Sequence, residues 1–446
     1  MPLASWADRA RRAPDAPALV TLERTWTSAT LAAELSIRAR AIVGARCVAL
    51  VGRASADHVL DLLAAIDAGV PVLLLHPRWS ERETRAIVER VGPDLVLDGG
   101  VPRRAARALA PPALDGVLAI VATSGTTGAP KLALLSRHAL EASARASAAH
   151  LGAHEDDRWL LAMPLAHVGG LGVVVRSLVY ETTLVVHEGA ADPAAWLPLA
   201  ERAGATHVSL VPTTLARLLD AGLALPASTR VALVGGAACP TALVERALAQ
   251  GVPIHTTYGL TETCGQVATS TTDPRKLVPL PGVALRVVSG SIRVRAPTAM
   301  DGWLDAPSPF DAEGFYDTGD LGELEEDGSL RIHARRTDLI VSGGENVYPR
   351  EVEDALERVP GIRAACVFGV EDPTWGQRVA AALVVNDDAP SDEALVASLR
   401  RELAGFKLPR AVARLEALAL NATGKVDRAA TAALAAPRLI RLPSPR

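Results

Sequence analysis

The segment Thr123-Ser124-Gly125-Thr126-Thr127-Gly128-Ala129-Pro130-Lys131 directly follows the apolar run Val117–Ala122. It contains four hydroxyl side chains and two glycines in nine residues, and it ends in a lysine. Glycine lets the backbone approach a phosphate, hydroxyl and N–H groups donate hydrogen bonds to it, and an ammonium neutralises its charge. The segment is not a Walker A loop, because Pro130 directly precedes the lysine. It indicates a phosphate-binding loop, with a Gly/Ser/Thr surface turn as the alternative.

The residues before this loop alternate between strand and helix patterns. Three apolar runs are typical of buried strands: Val48–Val51, Val70–Leu75 and Asp94–Leu97. Two helical patterns lie between them, the first from Ser55 to Gly69 and the second from Ser80 to Val91. This β-α-β-α-β order predicts a parallel sheet flanked by helices.

The middle of the chain repeats the same order. Strand candidates lie at Thr206–Val211, Arg230–Val234 and Pro253–Thr257, and helix candidates at Pro212–Ala221 and Pro240–Gln250. Between Val283 and Arg295 the hydrophobic pattern alternates, which indicates a smaller β-rich subdomain.

The chain after about Arg335 has the pattern of a small α+β unit. Helices are predicted at Glu351–Val359 and from Ser391 to about Ala404, and strands at Ala364–Val370 and Val379–Val385. We therefore predict an α/β protein with a large N-terminal domain (residues 1–334) of doubly wound sheets plus the β-rich subdomain. A hinge (335–338) and a small mobile α+β C-terminal domain (339–446) complete it. The tail after Ala435 is expected to be frayed.

The composition narrows the class of protein. The 446 residues are 49% hydrophobic and carry a formal net charge of −4. A chain of this length and hydrophobicity forms a buried core. A slightly negative charge does not favour nucleic-acid or anionic-membrane binding, and no apolar run is long enough to span a bilayer. The N-terminus lacks a secretory pattern, and the four cysteines form no metal-ligand spacing, so we expect a cytoplasmic protein.

Lysine is rare in this chain. Only four of the 46 basic Lys and Arg residues are lysines: Lys131, Lys276, Lys407 and Lys425. Because the background supplies positive charge as arginine, a retained lysine is a candidate for chemistry that needs a compact point charge.

Further motifs follow the phosphate loop along the chain. They are Met163-Pro164-Leu165-Ala166-His167-Val168-Gly169-Gly170, Thr257-Tyr258-Gly259-Leu260-Thr261-Glu262, Tyr316-Asp317-Thr318-Gly319-Asp320, Ser342-Gly343-Gly344-Glu345-Asn346-Val347-Tyr348-Pro349 and Asn421-Ala422-Thr423-Gly424-Lys425. Together with the loop they resemble, in order, the signatures of the adenylate-forming superfamily, which includes acyl-CoA synthetases, adenylation domains and luciferases. The resemblance spans nearly the whole chain.

This resemblance implies an enzyme that uses ATP, Mg²⁺ and coenzyme A. A carboxylate attacks the α-phosphate of ATP to give an acyl-adenylate and pyrophosphate, and a thiol then displaces AMP. The resemblance makes Lys425 the main catalytic residue, bridging the carboxylate and the α-phosphate, with Thr261 donating to that phosphate. Glu262 is the predicted magnesium ligand, because Mg²⁺ prefers oxygen ligands.

The resemblance also assigns the nucleotide contacts. Asp320 and Arg335 are expected to bind the ribose, and Tyr258 to form the adenine slot with Gly235-Gly236-Ala237. A half-buried core tyrosine is the alternative for Tyr258. The predicted ATP- and AMP-binding residues are Thr123, Ser124, Gly125, Thr126, Thr127, Gly128, Lys131, Gly235, Gly236, Ala237, Thr257, Tyr258, Gly259, Asp320 and Arg335.

His167 is expected where the acyl pocket meets the thiol tunnel, with Gly236 also lining that pocket; a packing role is the alternative for the histidine. The family usually carries an aromatic residue where this chain has Ala166, so the pocket wall is roomier here. At the hinge, Thr337 stands where many members carry Asp, and Asp338 follows it. Gly343 and Gly344 would let the small domain approach the site in the thioester-forming state.

The hinge sequence, the run 342–349 and the short chain also resemble the o-succinylbenzoate–CoA ligases of menaquinone synthesis. Arg176 lies on an apolar stretch nine residues after His167 and needs an anionic partner or a route to water. Because o-succinylbenzoate carries a second carboxylate, we hypothesise that Arg176 binds that carboxylate. A surface or salt-bridged arginine is the alternative.

Three other functions remain alternatives. They are another aryl- or acyl-CoA ligase acting on a benzoate-type acid, a stand-alone adenylation enzyme that loads a carrier protein, and a catalytically inactive nucleotide-binding protein. Retention of Lys131 and Lys425 argues against the last. The expected partners are small molecules rather than nucleic acid or membrane, and the sequence leaves open whether the protein is a homodimer.

Overall fold

A computed structural model of the chain describes residues 6–100, 102–104, 114–123, 130–189, 192–421 and 424–443. The chain forms two compact units. The larger runs up to Gly236 and adds Ala247–Leu285 and Val294–Tyr316, whereas the smaller contains Ala237–Arg246, Arg286–Arg293 and the chain from Asp317 onward.

The α-helices of the described residues are α1 (Trp6–Arg12), α2 (Ser28–Ile42), α3 (Ala56–Asp67), α4 (Glu81–Val91), α5 (Arg137–Leu151), α6 (Val168–Tyr180), α7 (Pro193–Ala203), α8 (Pro212–Asp220), α9 (Thr241–Ala249), α10 (Pro349–Glu357), α11 (Asp392–Leu399) and α12 (Arg428–Ala435). Short 3₁₀ helices cover Thr261–Thr263, Arg336–Asp338 and Ala436–Arg438.

The strands of the larger unit are β1 (Pro17–Val20), β2 (Thr25–Thr27), β3 (Val48–Val51), β4 (Val72–Leu75), β5 (Leu95–Leu97), β6 (Pro102–Arg104), β7 (Val117–Thr123), β8 (Lys131–Ser136), β9 (Arg158–Leu161), β10 (Thr183–Val186), β11 (His207–Leu210), β12 (Val231–Val234), β13 (Ile254–Leu260), β14 (Gly265–Ser270), β15 (Leu277–Pro279) and β18 (Gly302–Trp303). The remaining strands are β16 (Ala284–Val288), β17 (Ser291–Arg295), β19 (Tyr316–Leu324), β20 (Leu330–Arg335), β21 (Ile340–Ser342), β22 (Glu345–Val347), β23 (Ile362–Asp372), β24 (Gly376–Val385), β25 (Ala411–Arg414) and β26 (Ile440–Arg441).

One sheet of the larger unit has the strand order β18-β8-β7-β4-β3-β5-β6. β3 pairs in parallel with both β4 and β5, as the β-α-β-α-β pattern predicts. The two helices between these strands begin where their caps predict. The Ser55 hydroxyl accepts the N–H of His58, and Ser80 forms a capping box with Glu83.

A second sheet of the larger unit follows the order β15-β14-β13-β12-β11-β9-β10-β1-β2. Strands β9 to β13 pair in parallel with one another, and β13 turns back antiparallel into β14. β13 is longer than the predicted strand, because it continues through the Tyr-Gly segment to Leu260.

The core of the larger unit reflects the two-residue period of its buried strands. Val48 and Leu50 face a cluster that also holds Leu62 of α3 and Val174 of α6. The intervening Ala49 faces a second cluster, which includes Ile87 and Val91 of α4. This sheet is thus apolar on both faces and covered on both, which is what its short, unbroken hydrophobic runs predict.

The smaller unit contains two groups of strands, although the end residues 284–285 of β16, 294–295 of β17 and 316 of β19 belong to the larger unit. In the first group the neighbouring strands lie in the order β16-β17-β19-β20. In the second group the order is β22-β21-β24-β25-β26, and β23 also pairs with β24. Successive residues of β23 again face opposite clusters, with Val367 packed among α10 and α11 side chains and Cys366 facing Ala435. The α/β fold with a β-rich portion and a small α+β portion is therefore confirmed.

The expectation of a frayed tail is wrong for the described residues up to 443. Ala435 is fully buried, β26 pairs with β25, and Leu442 joins the core of the smaller unit. Ile440 and Arg441 are both exposed and only Leu442 is buried, so no two-residue alternation in the sequence indicates this burial.

The cysteines are largely shielded. Cys47, Cys264 and Cys366 are buried and Cys239 is half-buried, all as free thiols. Burial raises the pKa of Cys47, Cys239 and Cys366 to about 12. Across the part of the chain that the structure describes, every helix is too short or too polar to cross a bilayer.

Candidate active site

Two sheets of the larger unit meet at the segment 164–170, between β9 and α6. A Cβ built on Gly52, directly after β3, would lie 2.5 Å from the backbone nitrogen of Ala166. A side chain at position 52 would therefore displace the segment that carries His167. The junction lies at the carboxyl ends of parallel strands, which is where open α/β sheets form binding crevices.

His167 forms a side-chain pair at this junction that the sequence analysis missed. The Nε2 atom of His76, directly after β4, lies 3.2 Å from Nε2 of His167, and their ring centroids are 4.9 Å apart. His167 also caps α6, with its carbonyl accepting the N–H of Leu171 at 2.9 Å. The predicted histidine thus lies at a helix N-terminus against a second, buried histidine.

The predicted adenine and phosphate segment forms the end of β13. Thr257 is fixed by its hydroxyl, 2.7 Å from the Thr269 hydroxyl and 3.2 Å from the carbonyl of Ala268. Tyr258 is half-buried, and the register of β13 against β14 shifts between it and Gly259. After this irregularity two further pairs, Gly259 with Gln266 and Leu260 with Gly265, complete the ladder before Thr261 and Glu262 begin a 3₁₀ helix.

Glu262 is buried, and its backbone and its carboxylate each accept a hydrogen bond. Its carbonyl accepts the N–H of Met300 at 2.8 Å, and the Tyr316 hydroxyl donates to its Oε1 at 3.4 Å. A buried carboxylate oxygen is a suitable ligand for Mg²⁺. The described residues contain no cluster of three or more His, Cys, Asp or Glu side chains that could hold a metal by themselves, so phosphate oxygens and waters would complete the coordination.

The phosphate loop is bounded by two paired residues. Thr123 ends β7 and pairs in the antiparallel ladder with Lys131, the first residue of β8. The Lys131 ammonium lies 5.3 Å from the ring centroid of Trp303. The predicted contacts Ser124, Gly125, Thr126, Thr127 and Gly128 lie outside the described residues.

Arg176 is buried in α6, with 7% of its surface exposed. Its guanidinium stacks 4.3 Å from the Trp159 ring centroid, and one nitrogen lies 3.5 Å from the Gln266 side-chain oxygen. Among the described residues no carboxylate pairs with it, and its buried Nε lacks a hydrogen-bond partner. Burial lowers the pKa of Arg176 to about 10.

The predicted ribose contacts lie together in the smaller unit. Arg335 donates to Oδ1 of Asp320 at 2.7 Å and to the carbonyl of Thr318 at 2.9 Å. Asp320 is buried, and the two residues are cross-strand partners on β19 and β20. The pairing holds the carboxylate in one orientation.

Lys425 lies on a turn of the smaller unit. Its N–H donates to the Asn421 side chain at 3.1 Å, and its carbonyl accepts the Asn421 N–H at 2.8 Å. Asn421 thus closes the turn with both backbone and side chain, whereas Ala422 and Thr423 lie outside the described residues.

The two predicted hinge glycines form a two-residue turn between β21 and β22. Gly343 and Gly344 have φ values of 62° and 85°, as the tight turn of a β-hairpin requires. A Cβ on Gly343 would come within 2.6 Å of the Trp375 ring, and that tryptophan is 47% exposed. The hairpin therefore presents backbone beside an exposed aromatic ring.

The residues Thr337 and Asp338 form part of a 3₁₀ helix. Arg428 donates to the Asp338 carboxylate at 3.2 Å and to Glu353 and the carbonyl of Val367. This arginine links the predicted hinge to α10 and β23, and it lies three residues after Lys425.

The predicted residues divide between the two units. The larger holds Thr123, Lys131, His167, Arg176, Gly235, Gly236, Thr257, Tyr258, Gly259, Thr261 and Glu262, and the smaller holds Ala237, Asp320, Arg335, Thr337, Asp338, Gly343, Gly344 and Lys425. Within each unit the motifs lie at strand ends and turns. His76, Gln266 and Arg428 are additional residues that no sequence motif indicated.

Comparison with known proteins agrees with the motifs. Residues 98–304 match the AMP-binding enzyme family, and residues 351–425 match the AMP-binding enzyme C-terminal domain. A 2-succinylbenzoate–CoA ligase from Bacillus licheniformis is 34% identical over 413 residues, covering 83% of this chain and 86% of that protein.

Solved structures show the same relationship. The o-succinylbenzoate coenzyme A synthetase of Bacillus subtilis with the acyl-adenylate intermediate OSB-AMP has a TM-score of 0.85 at 31% identity, covering 96% of this chain and 97% of that chain. The same enzyme with ATP and magnesium ion has a TM-score of 0.83 at 30% identity, covering 96% of this chain and 99% of that chain. The chain belongs to the AMP-binding enzyme family of adenylate-forming ligases, as its motifs predict.

Proposed function

We propose that this protein is an ATP-dependent ligase that joins 2-succinylbenzoate to coenzyme A through an acyl-adenylate. Relatives that cover most of the chain carry that activity in their names, and the related structures hold ATP, magnesium ion or the adenylate. The observation in this chain that carries the substrate choice is Arg176, a buried cation without a carboxylate partner among the described residues.

The first step joins two anions. An oxygen of the substrate carboxylate attacks the α-phosphorus of ATP, the bond from that phosphorus to the bridging oxygen breaks, and pyrophosphate leaves. Since no proton is transferred, catalysis depends on positioning and neutralisation of charge. Lys425 and Thr261 would act on the α-phosphate and the incoming carboxylate, and Lys131 on the phosphates beyond it.

Magnesium would neutralise phosphate charge in this step, and Glu262 is the residue we assign to it. Its burial limits its orientations, and the Tyr316 hydroxyl holds one carboxylate oxygen. The Asp320–Arg335 pair would hold the ribose, because an ionised carboxylate accepts from two hydroxyls.

In the second step the CoA sulfur attacks the acyl carbonyl carbon and the thiol proton passes to solvent. The bond from that carbon to the phosphate oxygen breaks, and AMP leaves with the electron pair. Lys425 and the hairpin Gly343-Gly344 lie in the same unit, some eighty residues apart in the sequence. We propose that residues 339–446 rotate about the hinge 335–338 between the steps, so that each segment serves one of them.

Burial of the Arg176 charge favours binding of the second carboxylate of the substrate. Burial lowers its pKa to about 10, and nothing charged among the described residues compensates for that burial. A carboxylate from the substrate would supply charge-assisted hydrogen bonds that stacking on Trp159 does not. An aryl acid with a single carboxylate would leave the guanidinium without that partner.

Substrate choice is tested with the purified enzyme, ATP, Mg²⁺ and a panel of acids. We expect pyrophosphate release and CoA-thioester formation with 2-succinylbenzoate, and a much lower kcat/KM with benzoate. A preference for benzoate would favour the other aryl-CoA ligase, and release of pyrophosphate with transfer only to a carrier protein would favour an adenylation enzyme. The cytoplasmic location remains a prediction, and whether the protein is a homodimer stays open.

Replacement of Glu262 by glutamine should weaken activation by Mg²⁺ at least about tenfold while preserving the fold, because the amide removes the anionic ligand but keeps its shape. The measurement is pyrophosphate release against Mg²⁺ concentration at fixed ATP. Glu141→Gln is the matched control, since Glu141 is also buried in the larger unit but pairs with Arg145. An unchanged Mg²⁺ dependence in Glu262→Gln would contradict the assignment.

A further inference from the structure

We propose that His76 is a positioning residue that donates from Nε2–H to Nε2 of His167 and thereby keeps the His167 ring neutral with its proton on Nδ1. The catalytic consequence depends on the function proposed above, whereas the tautomer does not. The proposal concerns the two imidazoles whose Nε2 atoms lie 3.2 Å apart at the carboxyl end of β4.

The direction of this hydrogen bond follows from the other face of His76. The backbone N–H of Arg78 points at Nδ1 of His76, 3.2 Å away, so Nδ1 must accept. A neutral imidazole that accepts at one nitrogen carries its proton on the other. The proton of His76 is therefore on Nε2, and Nε2 of His167 is the acceptor.

The surroundings of His76 favour its neutral form. Burial lowers its pKa, and the nearby Arg78 charge lowers it further, while Glu83 opposes them. The Trp79 ring lies beside the His76 ring, tilted by 45° at a centroid distance of 6.0 Å. A second proton on His76 would have to bind Nδ1, where it would lie against the N–H of Arg78.

The surroundings of His167 also favour the neutral form of its ring. His167 is the N-cap of the 13-residue helix α6, where the positive end of the helix dipole disfavours a cation. Protonation at its Nε2 would set two N–H groups against each other across 3.2 Å. The helix and His76 thus both stabilise a ring that can donate only from Nδ1.

A neutral donor at this position suits the reaction. An Nδ1–H group can hydrogen-bond an acyl or phosphate oxygen without bringing a positive charge that would change with pH. Loss of the His76 donor would remove the N–H group that opposes a proton on Nε2 of His167, so that ring would be protonated more readily as the pH falls. The acid limb of the pH–rate profile would then move to higher pH.

The direct test is the ¹⁵N spectrum of histidine-labelled, full-length protein, with the His167 signals identified by their loss in His167→Gln. We expect the Nδ1–H tautomer in the native protein. His76→Leu should abolish that preference and let His167 take up a second proton at higher pH, and His76→Gln, whose amide can both accept and donate, should restore the native tautomer. His187→Leu is the matched control, because His187 is also buried after a parallel strand with a pKa lowered by burial.

An Nε2–H tautomer of His167 in the native protein would overturn the proposal, as would a spectrum unchanged by His76→Leu. The kinetic arm measures kcat/KM for CoA from pH 5.5 to 8 with supplied acyl-adenylate. An upward shift of the acid limb in His76→Leu but not in His187→Leu supports the positioning role. Inactivity of all variants and the native protein toward 2-succinylbenzoate would refute only the proposed function, since the spectra report the tautomer independently.

Discussion

Lys425→Ala should reduce acyl-adenylate formation by about two to three orders of magnitude while sparing thioester formation from supplied acyl-adenylate. The attacking carboxylate and the α-phosphate are both anionic, and the ammonium is the group we assign to neutralise them as they meet. The second step does not bring this carboxylate and phosphate together, so we do not expect it to need the Lys425 ammonium. Its turn is closed by Asn421, so the substitution removes the ammonium without removing the turn contacts.

The two half-reactions are measured separately. ATP–pyrophosphate exchange reports the first, and CoA consumption with synthetic adenylate reports the second. Lys407→Ala is the matched control, because that lysine belongs to the same unit but binds the Glu351 carboxylate at 2.6 and 2.8 Å. Equal loss of both half-reactions in Lys425→Ala would count against domain alternation, and unchanged exchange would remove Lys425 from the catalytic step.

Arg176→Met should raise the KM for 2-succinylbenzoate by about ten- to a hundredfold, with a smaller change in kcat. The substitution removes the guanidinium that we assign to the second carboxylate, which lies away from the reacting carbonyl. Turnover of benzoate should hardly change, because that acid has no group for the arginine to bind.

The same substitution should stabilise the ligand-free protein at pH 7. Burial lowers the pKa of Arg176 to about 10, so charging it opposes folding at every pH below that value. Methionine fills similar space without this electrostatic cost. A higher thermal midpoint in the absence of substrate is the expected result.

Arg9→Met is the control for both measurements. Arg9 is also buried and lies over a tryptophan, with its guanidinium 4.9 Å from the Trp6 ring centroid. It differs because its nitrogens donate to the carbonyls of Thr182 and Pro17. Its loss should destabilise the fold without altering substrate preference. An unchanged KM in Arg176→Met would refute the assignment of the second carboxylate.

Local sequence signals predict much of the fold, because apolar runs and caps act over a few residues. Ser55 and Ser80 fix the starts of α3 and α4, and the runs at β3 and β4 are apolar on both faces. The C-terminal tail was mispredicted, because its burial depends on distant partners: β26 gains its ladder only by pairing with β25.

The candidate site likewise contains some residues that the sequence could predict and others that it could not. Motif residues such as Glu262 and Lys425 are recognisable because their spacing repeats a known pattern. His76 carries no such pattern, since it meets His167 across 91 positions of the sequence through a contact between two sheets. The lack of an ionic partner at Arg176 is likewise a property of packing, and the sequence could indicate only that a partner was needed.

The buried cysteines have a practical consequence for these assays. A thiol with a pKa of about 12 has roughly one molecule in 10⁵ ionised at neutral pH, and only the ionised form attacks a disulfide dye. Such a dye added to the native enzyme should therefore report the free CoA thiol with little protein background. Colour from the protein would appear only on denaturation, which makes the same reagent an indicator of unfolding for each variant.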